Sequence, residues 1–295
     1  MKIAITGAGG QLGKDLVRTL APGHEIFAFT RAELNVANER AVSETFAKVK
    51  PDVIIHAAAY TQVDRAEREP EAVYTVNSFG SRNVALAAKH TGAKLVYIST
   101  DYVFDGKKEG AYKESDWTNP LSVYGSSKLH GEKFTELICD RYYIVRTSWL
   151  YGKYGDNFVT KVVSLAEKQQ VLAMVCDQFG SPTYTLDLAE FISALIETDR
   201  YGVYHASNRG VCSRYEFAQH ILKAAGLTNV VLKPVSSDSF PASAIRPVNS
   251  ALDDEAIRVN NLPPLREWVP ALYDFIRNDL NYAGVRKEKE GMNDD

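Results

Sequence analysis

The sequence contains few cysteines and no pattern that would pair them. Its 295 residues include three, Cys139, Cys176 and Cys212, which are far apart and form no C-x-x-C motif. An odd number of widely spaced cysteines argues against both a disulfide framework and a zinc site. We therefore expect free thiols and a cytoplasmic location.

Long apolar runs and an excess of charge of one sign are also missing. No stretch approaches the roughly 20 apolar residues that cross a bilayer, and the opening strand-like segment Lys2–Thr6 is too short for the apolar core of a signal peptide. The formal net charge is −3, from 34 Lys and Arg against 37 Asp and Glu. Such a balance creates no diffuse basic field, so we expect neither nucleic acid nor a membrane surface as a partner.

Short apolar runs alternate with segments of helical periodicity through the first half of the chain. The runs are KIAIT, EIFAFT, DVIIHAA, KLVYIST and YYIVRTS, and the helical segments cover residues 11–20, 39–48, 70–90 and 124–139. Runs that are apolar on both faces are typical of parallel strands covered by helices on either side. This pattern predicts a Rossmann-type α/β fold, a doubly wound parallel sheet with ligands at the carboxyl ends of its strands.

The alternation becomes less regular after about residue 151. We interpret residues 1–150 as a Rossmann domain and 151–285 mainly as a smaller C-terminal α/β lobe that binds the substrate. Helices are predicted near 158–168, 186–197 and 214–225. The strand-like segments 171–175 and 202–206 are expected to return to the large sheet. The charged segment 286–295 has almost nothing to bury and predicts a disordered tail.

A glycine-rich turn follows the first strand directly and opens the first helix. Gly7, Gly10 and Gly13 stand in a G-x-x-G-x-x-G spacing. Gly7 permits a tight turn, Gly10 lets the backbone approach a pyrophosphate, and Gly13 allows the helix to pack closely. Because a helix N-terminus also favours phosphate, the position of this motif predicts dinucleotide binding.

The end of the second strand bears on the choice between NAD and NADP. An acidic residue there would bind the ribose 2′-hydroxyl, whereas a cation would accept a 2′-phosphate. The chain has Thr30-Arg31, which favours NADPH, although NADH is not excluded. Small or polar residues in the loops after the second and third strands could border the adenine and ribose: Asn35, Val36, Ala57, Ala58 and Ala59.

Thr100, Tyr124 and Lys128 form the candidate catalytic group. Tyr124 and Lys128 are four residues apart on a predicted helix, hence on one face, and Thr100 follows the fourth strand. A nearby ammonium would lower the pKa of the phenol and make it a usable proton donor to a carbonyl oxygen. The threonine hydroxyl could hydrogen-bond the same oxygen. This combination predicts reduction of a keto group.

Several motifs together resemble those of one enzyme family. They are the glycine turn, HAAAYTQVD, STDYVFDG, YGSSK, RTSWLYG, DQFGSPT at 177–183 and RPVNS at 246–250. They are similar to those of the extended short-chain dehydrogenase/reductases and, more narrowly, of the dTDP-4-dehydrorhamnose reductases. The resemblance covers residues 1 to 281. It implies reduction of the C4 keto group of dTDP-4-dehydro-β-L-rhamnose to dTDP-L-rhamnose with NADPH, in biosynthesis of cell-surface polysaccharide.

The resemblance also implies roles for individual residues. Tyr124 would donate the proton, Lys128 would orient the nicotinamide ribose, and Thr100 would polarise the sugar carbonyl. The remaining assignments are cofactor phosphates for Gly10, Gln11 and Leu12, the sugar for Asp101 and Trp149, and the nucleotide's pyrophosphate for Asn157 and Arg246. The chain departs from the family at Asn35, where an aspartate is frequent, so the adenine contact there could differ.

Other activities of the same fold remain to be weighed. The 4,6-dehydratases carry Asp-Glu after the threonine, whereas Asp101 is followed here by Tyr102, so elimination of water lacks its expected base. An NAD-retaining epimerase and another nucleotide-sugar reductase stay open. So does a non-catalytic NADP-binding subunit like the regulatory β subunit of methionine adenosyltransferase, which resembles the same family.

A metal is not required for this chemistry. Tyr124 and Thr100 can stabilise the developing alkoxide without a Lewis acid. Some relatives pair through magnesium-linked carboxylates, for which Asp187 and Glu190 are candidates. No metal ligand is assigned, the use of Mg²⁺ is left open, and a homodimer is treated as one possible assembly.

Overall fold

A six-stranded parallel sheet organises the larger part of the chain. The computed structural model describes residues 1–240, 242–280 and 282, so the segment 286–295, for which the sequence predicts a disordered tail, lies outside it. Six strands pair in the order β2-β1-β3-β4-β5-β10. The strands are β1 Lys2–Thr6, β2 Glu25–Phe29, β3 Val53–His56, β4 Lys94–Thr100, β5 Tyr142–Thr147, β6 Leu150–Tyr151, β7 Val171–Val175, β8 Phe179–Gly180, β9 Thr183–Tyr184, β10 Gly202–His205, β11 Cys212–Ser213 and β12 Val231–Val235.

Helices cover both faces of this sheet. The α-helices of the described residues are α1 Gln11–Leu20, α2 Glu39–Val49, α3 Val63–Ala66, α4 Pro70–Tyr74, α5 Ser81–Thr91, α6 Val123–Ile138, α7 Phe158–Ala166, α8 Thr185–Ile196, α9 Arg214–Ala224, α10 Glu255–Val259 and α11 Trp268–Asp274. Ile3 and Ile5 of β1 pack in the cluster that holds α1 and α8, whereas Ala4 packs in the cluster that holds α2 and α5. Successive strand residues point to opposite faces, so both faces are buried and the predicted doubly wound α/β fold is confirmed.

The predicted helix over 70–90 is interrupted. Between α4 and α5 the chain forms a turn of π-helix at Thr75–Gly80. Within it, the Asn77 side chain accepts a hydrogen bond from the Tyr60 backbone N–H at 2.7 Å and donates to the Ser127 hydroxyl at 3.0 Å. Such irregular turns are frequent at functional sites, and this one ties the loop after β3 to helix α6.

A second, aromatic-rich core lies in the C-terminal half. Helices α7, α9 and α11 enclose buried aromatic side chains: Tyr151, Tyr184, Phe217, Trp268 and Phe275. Strand β10 joins the large sheet beside β5, as expected for 202–206. The segment 171–175 forms a strand but does not return to the large sheet; β7 pairs in parallel with β12 because its Leu172 and Met174 pack in this second core.

Candidate active site

The glycine turn holds the backbone in a conformation that larger residues would not adopt. Gly7 has a φ of +72°, and a Cβ there would lie 2.6 Å from the backbone nitrogen of Ala58. A Cβ on Gly13 would lie 2.2 Å from the carbonyl oxygen of Gly7. Helix α1 begins directly after Gly10, so its first N–H groups are unpaired within the helix and favour an anion at this end.

This turn borders one large cavity at the carboxyl ends of the strands. The cavity has a volume of about 790 Å³, within the range of small-molecule and cofactor sites. Most residues that the sequence assigns to the cofactor line it: Gly7, Gly10, Gln11, Leu12, Gly13, Arg31, Asn35, Val36, Ala57, Ala58, Ala59, Tyr124 and Lys128. Thr30 does not line it; its backbone N–H donates to the Glu33 carboxylate at 2.8 Å.

Thr100, Tyr124 and Lys128 meet at the same cavity. Thr100 ends β4, and Ser122 caps α6 by accepting a hydrogen bond from the Gly125 N–H at 3.1 Å, which sets the start of the helix that carries the other two. The Thr100 hydroxyl donates to Oδ1 of Asp101 at 3.0 Å. A hydroxyl, a phenol and an ammonium thus converge from one strand end and one helix.

Lys128 is buried below the cavity. Its Nζ donates to the Ile98 carbonyl oxygen at 2.6 Å and lies 4.1 Å from the centre of the Tyr97 ring. Burial lowers the pKa of Lys128 to about 7, although the Glu132 carboxylate one turn further along α6 acts to raise it. Near neutral pH the charged and the neutral form of Lys128 are therefore both populated.

The electrostatics of Tyr124 differ from the sequence prediction. The spacing predicts that Lys128 lowers the pKa of the phenol, but desolvation raises the pKa of Tyr124 well above its usual value. The Thr100 hydroxyl acts to lower the pKa, and the Asp101 carboxylate acts to raise it. Desolvation wins because the phenolate would be charged in a site of low polarity. Tyr124 is consequently protonated at neutral pH, which is the state a proton donor needs.

Another part of the cavity lining is built from a strained tryptophan and an arginine. Trp149 has a φ of +47°, in the left-handed region that non-glycine residues rarely occupy. Its ring packs against Gly180, where a Cβ would lie 2.6 Å from it. The guanidinium carbon of Arg214 lies 3.4 Å from the centre of the Trp149 ring, and both residues line the cavity together with Asp101. Burial raises the pKa of Asp101 to about 6.

Two residues that the sequence assigns to the pyrophosphate do not line this cavity. Asn157 caps α7, where its side chain accepts from the Thr160 N–H at 3.0 Å and donates to the Gln11 side chain at 3.0 Å. The Arg246 guanidinium donates to both carboxylate oxygens of Asp64, at 3.1 and 2.6 Å. Both side chains already form hydrogen bonds within the protein, and neither lines the cavity. Their positions therefore do not support the predicted contact with the pyrophosphate.

Comparisons with known proteins are consistent with this geometry. The model of the family described as "RmlD substrate binding domain" matches residues 1–281. A dTDP-4-dehydrorhamnose reductase of Aggregatibacter actinomycetemcomitans is 41% identical over 85% of this chain and 90% of its own length. The chain belongs to the dTDP-4-dehydrorhamnose reductase family.

Two further members bear on cofactor and substrate. A dTDP-4-dehydrorhamnose reductase of Bacillus anthracis, crystallised in complex with NADP, is 44% identical and superimposes with a TM-score of 0.92, covering 94% of this chain and 98% of its own. A dTDP-4-keto-6-deoxy-D-glucose reductase of Streptomyces niveus is 37% identical over 91% of this chain and 94% of its own length. Proteins named for two different 4-keto sugars are therefore similar to this chain.

Arg214 lines the cavity of this family member, but it is not among the residues that the sequence predicts for the site. The S-x-x-E pattern of Ser213 and Glu216 marks the start of α9, and the structure has both hydrogen bonds of that capping box. A capping pattern places Arg214 at the first position of a helix. It carries no information that this helix start faces a cavity bordered by the glycine turn.

Two negative findings apply to the part of the chain that the structure describes. None of its helices is both long and apolar enough to cross a membrane. No group of three or more His, Cys, Asp or Glu side chains within residues 1–240, 242–280 and 282 is arranged to hold a metal. Of the two carboxylates considered for magnesium, Asp187 accepts two hydrogen bonds from Arg266, both at 2.9 Å.

Proposed function

We propose that this protein reduces the C4 keto group of dTDP-4-dehydro-β-L-rhamnose to dTDP-L-rhamnose with NADPH. The observation that carries the proposal is the convergence of Thr100, Tyr124 and Lys128 on the cavity that the glycine turn also borders. A site of this kind places a proton donor beside a dinucleotide site, and family membership narrows the substrate to a nucleotide-linked 4-keto sugar.

The residues present fit a dinucleotide. Close backbone approach at Gly7 and Gly13 leaves no room for a Cβ, and the start of α1 faces the cavity as a phosphate site would. Arg31 borders the same cavity and supports a 2′-phosphate, hence NADPH; the NADP complex of the B. anthracis relative agrees. When bound, NADPH supplies the hydride that reduces the carbonyl carbon.

Side chains of the protein would transfer the proton and stabilise the negative charge that develops on the carbonyl oxygen. Tyr124 would donate its proton to the carbonyl oxygen, which becomes a hydroxyl as the carbon is reduced. The Thr100 hydroxyl would turn from Asp101 to hydrogen-bond the same oxygen. Lys128, whose pKa of about 7 permits proton exchange, would hold the cofactor ribose and help return a proton to Tyr124.

The decisive experiment measures oxidation of NADPH with two 4-keto sugars in parallel. One is dTDP-4-dehydro-L-rhamnose, and the other is dTDP-4-keto-6-deoxy-D-glucose, a second candidate because the S. niveus relative is named for its reduction. Faster turnover of the first, with dTDP-L-rhamnose as product, supports the proposal. Faster turnover of the second favours the alternative, and NADH in place of NADPH tests the cofactor.

Binding of NADPH without turnover of either sugar would contradict the proposal. It would favour the non-catalytic subunit that the sequence leaves open, and a search for a protein partner would follow. A cytoplasmic location, where NADPH and nucleotide sugars are made, forms part of the proposal. A homodimer and any role of Mg²⁺ stay predictions for sedimentation and metal-removal experiments.

A further inference from the structure

Arg214 is held rigidly at the wall of the cavity. The capping box of Ser213 and Glu216 fixes the start of α9, and the Arg214 guanidinium stacks on Trp149 at 3.4 Å. The Phe158 ring is 5.0 Å from the same guanidinium carbon. A guanidinium held by two aromatic rings loses little further freedom when it binds a ligand.

The pairing of Arg214 differs from that of Arg146, which is buried, and of Arg246, which is half-buried. Arg146 forms a two-point ion pair with Glu132, and Arg246 forms one with Asp64. Arg214 takes part in no ion pair with any residue of 1–240, 242–280 and 282, although it is desolvated enough for burial to lower its pKa to about 10. A cation withdrawn from water is normally paired with an anion. Arg214 is therefore suited to bind an anionic group of a ligand.

The charges around Arg214 are consistent with that role. Tyr102 and Asp101 act most to raise the pKa of Arg214 and Arg246 acts to lower it, while the Asp101 Oδ1 oxygen accepts a hydrogen bond from the Thr100 hydroxyl. With a pKa of about 10 the guanidinium keeps its charge at neutral pH. It therefore supplies a positive charge to the lining of the cavity that the glycine turn also borders.

We propose that Arg214 binds the diphosphate of the nucleotide-sugar substrate, and that stacking on Trp149 aims its guanidinium at that group. This inference rests on the proposed function, because it assumes a nucleoside diphosphate sugar in the cavity. A guanidinium matches phosphate oxygens with two parallel hydrogen bonds. A diphosphate neutralises this half-buried cation, which uncharged sugar hydroxyls cannot do, and Arg246, which the sequence assigns to the pyrophosphate, already has Asp64 as its partner.

The test compares ligands that differ only in their phosphates. Binding of dTDP and of thymidine to the NADP-loaded protein is measured by calorimetry for the native chain, Arg214→Met and Arg214→Lys. Methionine keeps an apolar side chain over Trp149 but removes the charge. Lysine keeps the charge but lacks the two parallel N–H donors of a guanidinium. Arg40→Gln, at an exposed position on α2, is the matched control.

The expected result is a selective loss. Arg214→Met should weaken dTDP about tenfold to a hundredfold, in line with loss of hydrogen bonds to a charged group, while thymidine binding stays unchanged. Arg214→Lys should recover part of the loss, and raised salt should reduce the difference between native and Met proteins. Arg40→Gln should match the native protein.

The outcomes separate this inference from the proposed function. Native turnover of the dTDP sugar together with unchanged dTDP binding by Arg214→Met would overturn the role of Arg214 alone. Equal loss for dTDP and thymidine would also overturn it, because a residue that merely positions Trp149 would act on both. Absence of turnover would overturn the dTDP sugar as substrate. The binding of UDP and of GDP to the native protein and to Arg214→Met would then be compared. If the substitution weakens neither, the proposed role of Arg214 is rejected.

Discussion

Two parts of the cavity lining differ in how their residues come together: the proposed cofactor wall at the glycine turn, which Arg31 also borders, and the proposed substrate wall of Asp101, Trp149 and Arg214. On the cofactor wall, Gly7 and Gly13 are six residues apart and their roles follow from backbone geometry within one turn. On the proposed substrate wall, Trp149 and Arg214 are far apart in the chain and meet only through tertiary packing. A site made of backbone conformation can be inferred from local spacing, whereas a site made of side chains from distant loops needs the folded structure.

The largest expected effect tests Tyr124, the proposed proton donor. Tyr124→Phe should lower kcat by about a hundredfold to ten thousandfold, because it removes the only proposed proton donor. NADPH affinity should be retained, since the ring remains in place. Steady-state kinetics and a fluorescence titration of NADPH measure the two quantities, and unchanged turnover would refute the assigned mechanism.

The next effect tests the cofactor wall through its backbone. Gly13→Ala places a Cβ against the Gly7 carbonyl oxygen, so the turn must shift, and kcat/KM for NADPH should fall about a hundredfold, the cost of a misplacement near 1 Å. Gly23→Ala is the control, because a Cβ there meets nothing within 4 Å. Equal kinetics for the two variants would mean that the turn does not position the cofactor.

A third prediction concerns the charge on the substrate wall. The pKa of Asp101 is raised to about 6, so the folded protein binds this proton more tightly than the unfolded chain. The contribution of Asp101 to the free energy of unfolding should therefore fall as pH rises from about 4 to about 6 and stay level above. Asp101→Asn removes the buried charge and should stabilise the protein by about 3 kcal/mol at pH 8, the equivalent of a pKa raised from 3.8 to about 6.

Urea denaturation at about pH 4 and at pH 8 checks this sign. At the lower pH the native carboxyl is largely protonated when folded, so the variant should gain little. Asp140→Asn, at an exposed position after α6, serves as the control at both pH values. A gain from Asp101→Asn that is the same at both would show that burial of the charge is not its cause.

The smallest effect tests the rim of the cofactor wall. Arg31→Ala should weaken NADPH about tenfold, the lower end for a hydrogen-bonded charge because Arg31 is exposed. NADH should be affected less, since it has no 2′-phosphate. Comparing KM for the two nucleotides checks this, with Arg40→Ala as a control, and equal losses would show that Arg31 does not contact that phosphate.

The sequence was most informative where structure follows from short-range rules. Runs that are apolar on both faces and helix segments of period 3.6 predicted the parallel sheet and its covering helices, which the structure confirms. The spacing of Tyr124 and Lys128 brought both to the cavity. The sequence could not predict that desolvation outweighs the effect of Lys128 on the pKa of Tyr124, because burial depends on all the surrounding elements.

Long-range partners explain the remaining differences. Nothing near Arg246 in the sequence indicates that Asp64, 182 residues away, would take both sides of its guanidinium. The strand 171–175 paired with β12 rather than with the large sheet because the choice depends on which core its side chains enter. Arg214 was overlooked for the same reason, since only tertiary packing brings it to the cavity.

The placement of the three tryptophans allows intrinsic fluorescence to report on the cavity. The Trp117 side chain is 89% exposed, Trp268 is 7% exposed in the C-terminal core, and Trp149 lies under the Arg214 guanidinium at the cavity. A soluble quencher should reach Trp117 first, and Trp117→Phe removes that signal from the emission spectrum. The emission that remains comes from two enclosed indoles, of which only Trp149 borders the cavity, so its change on adding a nucleotide reports occupation without any attached dye.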